Sequence, residues 1–206
     1  MIELPPTIRL PRADEVPTDA SVTESLQNIR HAKIVQGYKL LDNKEDEATE
    51  QIPFSFYAEI SIDNSRLWHL LHSLSGELPE TASLIFGYEG EELHYSEALN
   101  KHELLTGLAE FSREIVQDTY IEVGLTYNDE AKLVEIIIAD AKYVKFWGTD
   151  KEAFVQIMRV FGLEEIEDLE FVDEYPNVRE PLTAFAAEAM PTDELISRLK
   201  ERYLAE

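Results

Sequence analysis

The 206 residues carry 42 acids against 18 bases, a formal net charge of −24, with 44% apolar residues, 10% aromatics and no cysteine. This is a globular composition that excludes disulfides, thiolate metal sites and cysteine nucleophiles. Its field repels phosphate backbones and anionic lipid headgroups and attracts basic proteins.

No apolar run approaches the ~20 residues a spanning helix needs. Met1 to Leu10 lacks the basic-then-apolar pattern of a leader. The expectation is a cytoplasmic protein with no membrane association. A direct nucleic-acid ligand is also excluded, because the only basic cluster, Arg30, His31, Lys33, Lys39 and Lys44, is thin and diluted by Asp42, Glu45, Asp46 and Glu47.

Three divisions follow along the chain. Residues 1–53 read as an extended arm with Pro5, Pro6, Pro11 and Pro17, then a short helix within 22–36 and a charged loop at 42–51. Ile2, Leu4, Ile8 and Leu10 would lay the arm over the body. Residues 54–176 form an α+β core of net charge −18, from 26 acids and 8 bases. Residues 177–206 form a C-terminal helical segment.

Within the core, Phe54 to Ile62 alternates apolar and polar residues, which predicts a half-buried strand. A helix over 64–75 follows, with Leu67, Leu70, Leu71 and Leu74 in one stripe and Gly76 as its stop. Two strands near 83–89 and 92–97 flank a Glu89-Gly90-Glu91 turn. Asn100 and Glu103 resemble a capping box opening a helix to about 117. Strands at 119–127, 132–139 and 142–147 come next. Thr149 and Glu152 suggest a second box, opening a helix that Gly162 ends. A strand at 168–175 and a helix at 193–204 capped by Thr192 complete the chain.

The core order is β-α-β-β-α-β-β-β-α-β. Short turns between strands predict a mostly antiparallel sheet with helices on one face. Caps Asp63, Asn100 and Thr149 are followed five residues on by Trp68, Leu105 and Phe154, and eight on by Leu71, Leu108 and Ile157. An internal ββα duplication produces this register, and so do three unrelated amphipathic helices.

Catalytic signals are weak. His69 and His72 share a helix at i, i+3 spacing, with His94 and His102 further along, but no zinc-type motif accompanies them. The paired carboxylates Glu91/Glu92, Glu164/Glu165 and Asp173/Glu174 sit beside turns, where carboxylates are solvated rather than tuned. Asp140-Ala141-Lys142 with Glu122 has the residue types of a metal-dependent nuclease but lacks a basic surface. No GxSxG elbow occurs. No cofactor or metal is implied.

The strongest signal is physical. Residues 164–174 (EEIEDLEFVDE) hold seven acids in eleven positions. The predicted outward strand positions repeat one chemistry: Tyr57 with Glu59, Tyr120 with Glu122, and then Glu135, His94 and Glu170. A tyrosine–glutamate face suits a basic protein partner, with charge steering the encounter and aromatics anchoring it. The expected contact residues are Glu164, Glu165, Glu167, Asp168, Glu170, Tyr57, Glu59, Tyr120 and Glu122. Small size, acidity and the lack of catalytic motifs are the character of toxin-neutralising immunity proteins, although no motif matches a family that can be named. The alternative is a small-ligand binder or enzyme with a pocket between sheet and helices, lined by Trp68, Trp147 and Tyr143. A DNA mimic fits less well, because the acids form one run rather than two long rows.

Overall fold

A computed structural model describes residues 2–12, 15, 32–43 and 53–204. The centre is an antiparallel sheet in the order β2-β3-β9-β8-β7-β4-β5. Its strands are β2 (Gly37–Asp42), β3 (Phe56–Ser61), β4 (Thr81–Tyr88), β5 (His94–Tyr95), β7 (Ile121–Asn128), β8 (Leu133–Ile138) and β9 (Val144–Gly148), with β6 (Leu99–Asn100) pairing β4. A separate pair joins β1 (Ile8–Arg9) to β10 (Val178–Arg179). Helices α1 (Asn64–Leu74), α2 (Lys101–Ala109), α3 (Ser112–Gln117), α4 (Lys151–Val160) and α5 (Thr192–Tyr203) complete the fold. The α+β class and the antiparallel sheet are as the periodicities indicate.

Strand alternation divides the sheet into two faces. Phe56, Ala58 and Ile60 of β3 meet Phe146 and Val144 of β9, Ile136 of β8, Leu125 and Val123 of β7, and Leu84 and Phe86 of β4, all 1% exposed or less. The helices bury their stripes on this face through Leu67, Leu71, Leu108, Ile115, Phe154, Leu195 and Leu199. Phe56, Phe146 and Phe154 form a ring triad with centroids 5.1–5.7 Å apart. Among the described residues no α-helix lies on the opposite face; its Tyr143 corner is covered by Leu169, Phe171 and the short 3-10 turn Val172–Glu174.

Several boundaries move. Residues 37–42, read as part of the arm, form edge strand β2, because Tyr38 points into the core against Phe154. The helix expected over 100–117 breaks at Glu110–Phe111, where the Phe111 N–H takes a short i−3 bond to Leu108. Asp150, not Thr149, caps α4, its carboxylate accepting from Ala153 N at 2.9 Å. Thr192 opens α5 but donates its hydroxyl to Asp118 instead of capping. Gly162, at φ +65°, ends α4 as expected, with Leu163 N bonding back to Met158 O.

The expected strand at 168–175 is absent. Ile166, Leu169, Phe171 and Val172 turn into a second apolar cluster with Leu4, Ile8, Ala139 and Tyr143. Their spacing is not period two, and the backbone bonds locally, from Glu174 N to Phe171 O and from Tyr175 N to Val172 O. The segment instead docks on β2: Tyr38 N donates to Glu164 O at 3.0 Å and Ile166 N to Tyr38 O at 2.8 Å. Of the N-terminal arm, Leu4 and Ile8 pack against the body while Leu10 stays exposed. The helix expected within 22–36 falls mostly outside the described residues, and 32–36 are not helical.

Candidate binding face

Register builds the helix-free face in rows. One row crosses six strands through Leu41, Tyr57, Trp147, Glu135, Thr126 and Ser83, about 24 Å at the usual strand spacing. Tyr57 stacks on Trp147 at 4.7 Å between centroids. Leu41 at one rim is 59% exposed, and Tyr95 at the far edge is 57% exposed.

The adjacent row runs Lys39, Glu59, Lys145, Ile137, Gly124, Ile85, so the first three side chains alternate in charge as direct cross-strand neighbours. Lys39 pairs with Glu59 at 2.9 Å, and Lys145 approaches Glu122 at 3.9 Å. The Tyr57 hydroxyl donates to Glu59 at 2.9 Å.

Titration follows from this packing. Burial, reinforced by the hydrogen bond to Glu59, pushes the Tyr57 phenol well up. Glu135 is also held above the usual carboxylate range by burial, with the Thr126 hydroxyl opposing the shift. Burial likewise raises the neighbouring Asp173 carboxyl and Tyr143 phenol.

The structure brings together only part of the predicted contact set. Tyr57, Glu59 and Glu122 lie on the helix-free face. Tyr120 does not join them: its hydroxyl donates to Arg179 O at 3.1 Å beneath the C-terminal segment. His94 turns to the covered side and packs on Phe86. Glu164, Glu165 and Glu167 are exposed and form no ion pair among the described residues. Asp168 and Glu170 are engaged internally. Asp168 pairs with Lys33, which holds its carboxyl below the usual range. Glu170 accepts from the Tyr175 hydroxyl and from Lys33 N, and it is lowered for that reason. Lys33 and Lys39, two members of the thin basic cluster, are therefore both paired with acids.

Sequence reasoning placed Trp147 and Tyr143 in a pocket with Trp68. They lie on opposite sides of the sheet from it: Trp68 sits on α1 against His72, while Trp147 stacks on Tyr57 and Tyr143 on Phe171. Among the described residues, the space between sheet and helices is filled by the apolar core. The alternation of Val144 and Phe146 with Lys145 and Trp147 was the signal that put Trp147 on the other face.

The nuclease-like constellation also dissolves. Lys142 is 4% exposed and donates to Ile121 O at 2.8 Å, while Asp140 pairs with Arg179 at 2.6 Å. The described residues contain no cluster of three or more metal-ligating side chains. No helix among them is long and apolar enough to cross a membrane.

No protein-family model matches this chain, and neither does any curated protein or solved structure.

Proposed function

We propose that this chain is a non-catalytic, acidic protein-binding module. Its most concrete form is an immunity or inhibitor protein that neutralises a basic protein, such as a toxin, in the cytoplasm. The observation that carries the reading is the row from Leu41 to Ser83, which stacks a tyrosine on a tryptophan across the sheet face that bears no α-helix among the described residues. Rigid aromatics on strands lose little rotamer entropy on binding and suit the centre of an interface.

Charge divides the labour. Glu59 and Glu122 are largely neutralised on the face by Lys39 and Lys145, so they contribute register more than field. Steering falls to the exposed Glu164, Glu165 and Glu167, held firm because their segment hydrogen-bonds to edge strand β2. The net charge of −24 supplies the long-range attraction for a basic partner.

The test is capture of partners from the native host at low and high salt, with intact-complex mass spectrometry giving stoichiometry. The expected result is one basic protein bound stoichiometrically and released as salt rises. Replacing Glu164, Glu165 and Glu167 with Lys should slow association roughly tenfold or more at low salt and hardly at all near 1 M, where screening acts over about 3 Å. Unchanged association at low salt would remove this segment from the interface.

A further inference from the structure

A cleft of about 360 Å³ opens between the ends of β4 and β7 and the C-terminal segment, away from the stacked row. Its walls include Tyr88, Tyr120, Leu182 and Met190, with Asp118 and Asp193 as its charged members. Among the described residues no lysine or arginine lines it. The volume is at the small end for a ligand site and fits one long side chain better than a drug-sized molecule.

We propose that this cleft is a subsite for a single arginine or lysine side chain, with the aliphatic stem against Leu182 and Met190 and the cationic head between Tyr88, Tyr120 and Asp193. The inference rests on the protein-binding reading and names what the partner inserts. Three features argue for an amphipathic cation. The wall is mainly apolar, which suits the methylene stem of Lys or Arg but gives a small polar ion no advantage. Two tyrosines stand among the lining residues, and a tyrosine ring attracts a cation and not an anion. The carboxylates then decide the sign.

Asp118 is 1% exposed, accepts from Tyr120 N at 3.0 Å and from Thr192 Oγ1 at 2.5 Å, and faces the buried Lys142 ammonium, so its charge is largely answered inside the fold and the sign at the mouth falls to Asp193. Asp193 is exposed at the mouth and stands near the Tyr88 hydroxyl, whose proton is held by burial and by the charges of Asp193 and Glu91. The N-terminus of α5 opens on the same cleft and would favour an anion. Asp193 and Glu194 in its first turn carry two full negative charges against that half-charge.

Three methionines in the chain make the test direct. Met190 lines the cleft and Met158 is fully buried in the core, so methyl-labelled protein carries a reporter and an internal control. Titration with Nα-acetyl-arginine amide should move the Met190 methyl saturably and leave Met158 still, with a Kd on the order of 1 mM, the range open to so small a fragment. The isosteric citrulline amide, which lacks the charge, should bind at least ~10-fold more weakly. Asp193→Asn should weaken the arginine probe by about as much, and salt should weaken it further.

Equal binding of arginine and citrulline probes, or no movement of Met190, overturns the proposal. The two readings fail separately. A basic partner captured in a chain whose Met190 ignores the arginine probe removes the cleft and leaves the binding module. Selective arginine binding in a chain that captures no basic protein keeps the cleft as a cation site and removes the binding module.

Discussion

Phe146 and Trp147 are consecutive residues of β9 that face opposite ways, and they separate two kinds of sequence constraint. Phe146 is 1% exposed, wedged between Phe56 and Phe154 under α4. Trp147 is half-buried and stacks on Tyr57 on the opposite face. On the covered face the inward positions of the central strands β3, β7, β8 and β9 are apolar or aromatic, because a polar group buried there would need a partner. On the other face aromatics, carboxylates and ammonium groups lie side by side in register, an arrangement that core packing does not require. The helix-covered face specifies the fold, and the other, which carries no α-helix among the described residues and is overlaid by Phe171 at its Tyr143 end, carries the polar and aromatic chemistry.

The largest expected effect breaks the first face. Phe146→Ala should cost about 3–5 kcal/mol by urea denaturation, from lost burial plus the cavity left in the triad. Trp147→Ala, one residue on, should cost only about 1–2 kcal/mol and leave the transition cooperative. Equal costs would mean that the second face is a core in its own right.

A medium effect sharpens the boundary between the faces at the β8–β9 turn. Lys142 has φ 62°, a left-handed conformation that a bulky residue adopts only when held. Its buried ammonium is what holds it, through Ile121 O. Burial pulls its pKa from 10.5 down to about 8, against the opposing charges of Asp118, Asp140 and Glu122. Between pH 8 and 10.5 the unfolded chain therefore binds more protons at this site than the folded one, and stability from the site rises with pH. The stability of wild type relative to Lys142→Met should move in favour of wild type across that window and stay flat below it. A flat difference throughout would mean that Lys142 is not buried in its charged form. The smallest effect lies at the rim: Asp150→Ala should cost about 1 kcal/mol, the worth of one N-cap, without touching either face.

Much of the covered face was legible in the chain. The alternation through Phe54–Ile62 and 119–127 and the leucine stripe of α1 each give one solution, because burial on one side of a strand or helix leaves a period in the sequence. Tyr57, Glu59 and Glu122 follow from that period alone. The rest was hidden for specific reasons. Strand β2 is short and mixes Lys39 with Leu41, so it carries little period of its own. The 164–174 run has apolar residues that look strand-like, but they pack by local turns under a segment whose acids bond to Lys33 and Tyr175. Tyr120 shares the parity of Glu122, yet the C-terminal segment that covers it arrives from some sixty residues away. The cleft beside it joins residues 88, 118–120 and 181–193, contacts that no local pattern records.

The binding face is tested by parallel capture of host proteins with wild type, with Trp147→Ala and with the variant that replaces Glu164, Glu165 and Glu167 by Lys. Circular dichroism would confirm that all three fold. The expected result is a stoichiometric basic protein on wild type that is lost or sharply reduced on both variants, one for want of its anchor and the other for want of its field. A partner retained equally by all three, or a stoichiometric partner that is not basic, would contradict the assignment of the helix-free face and its acidic edge as the binding surface.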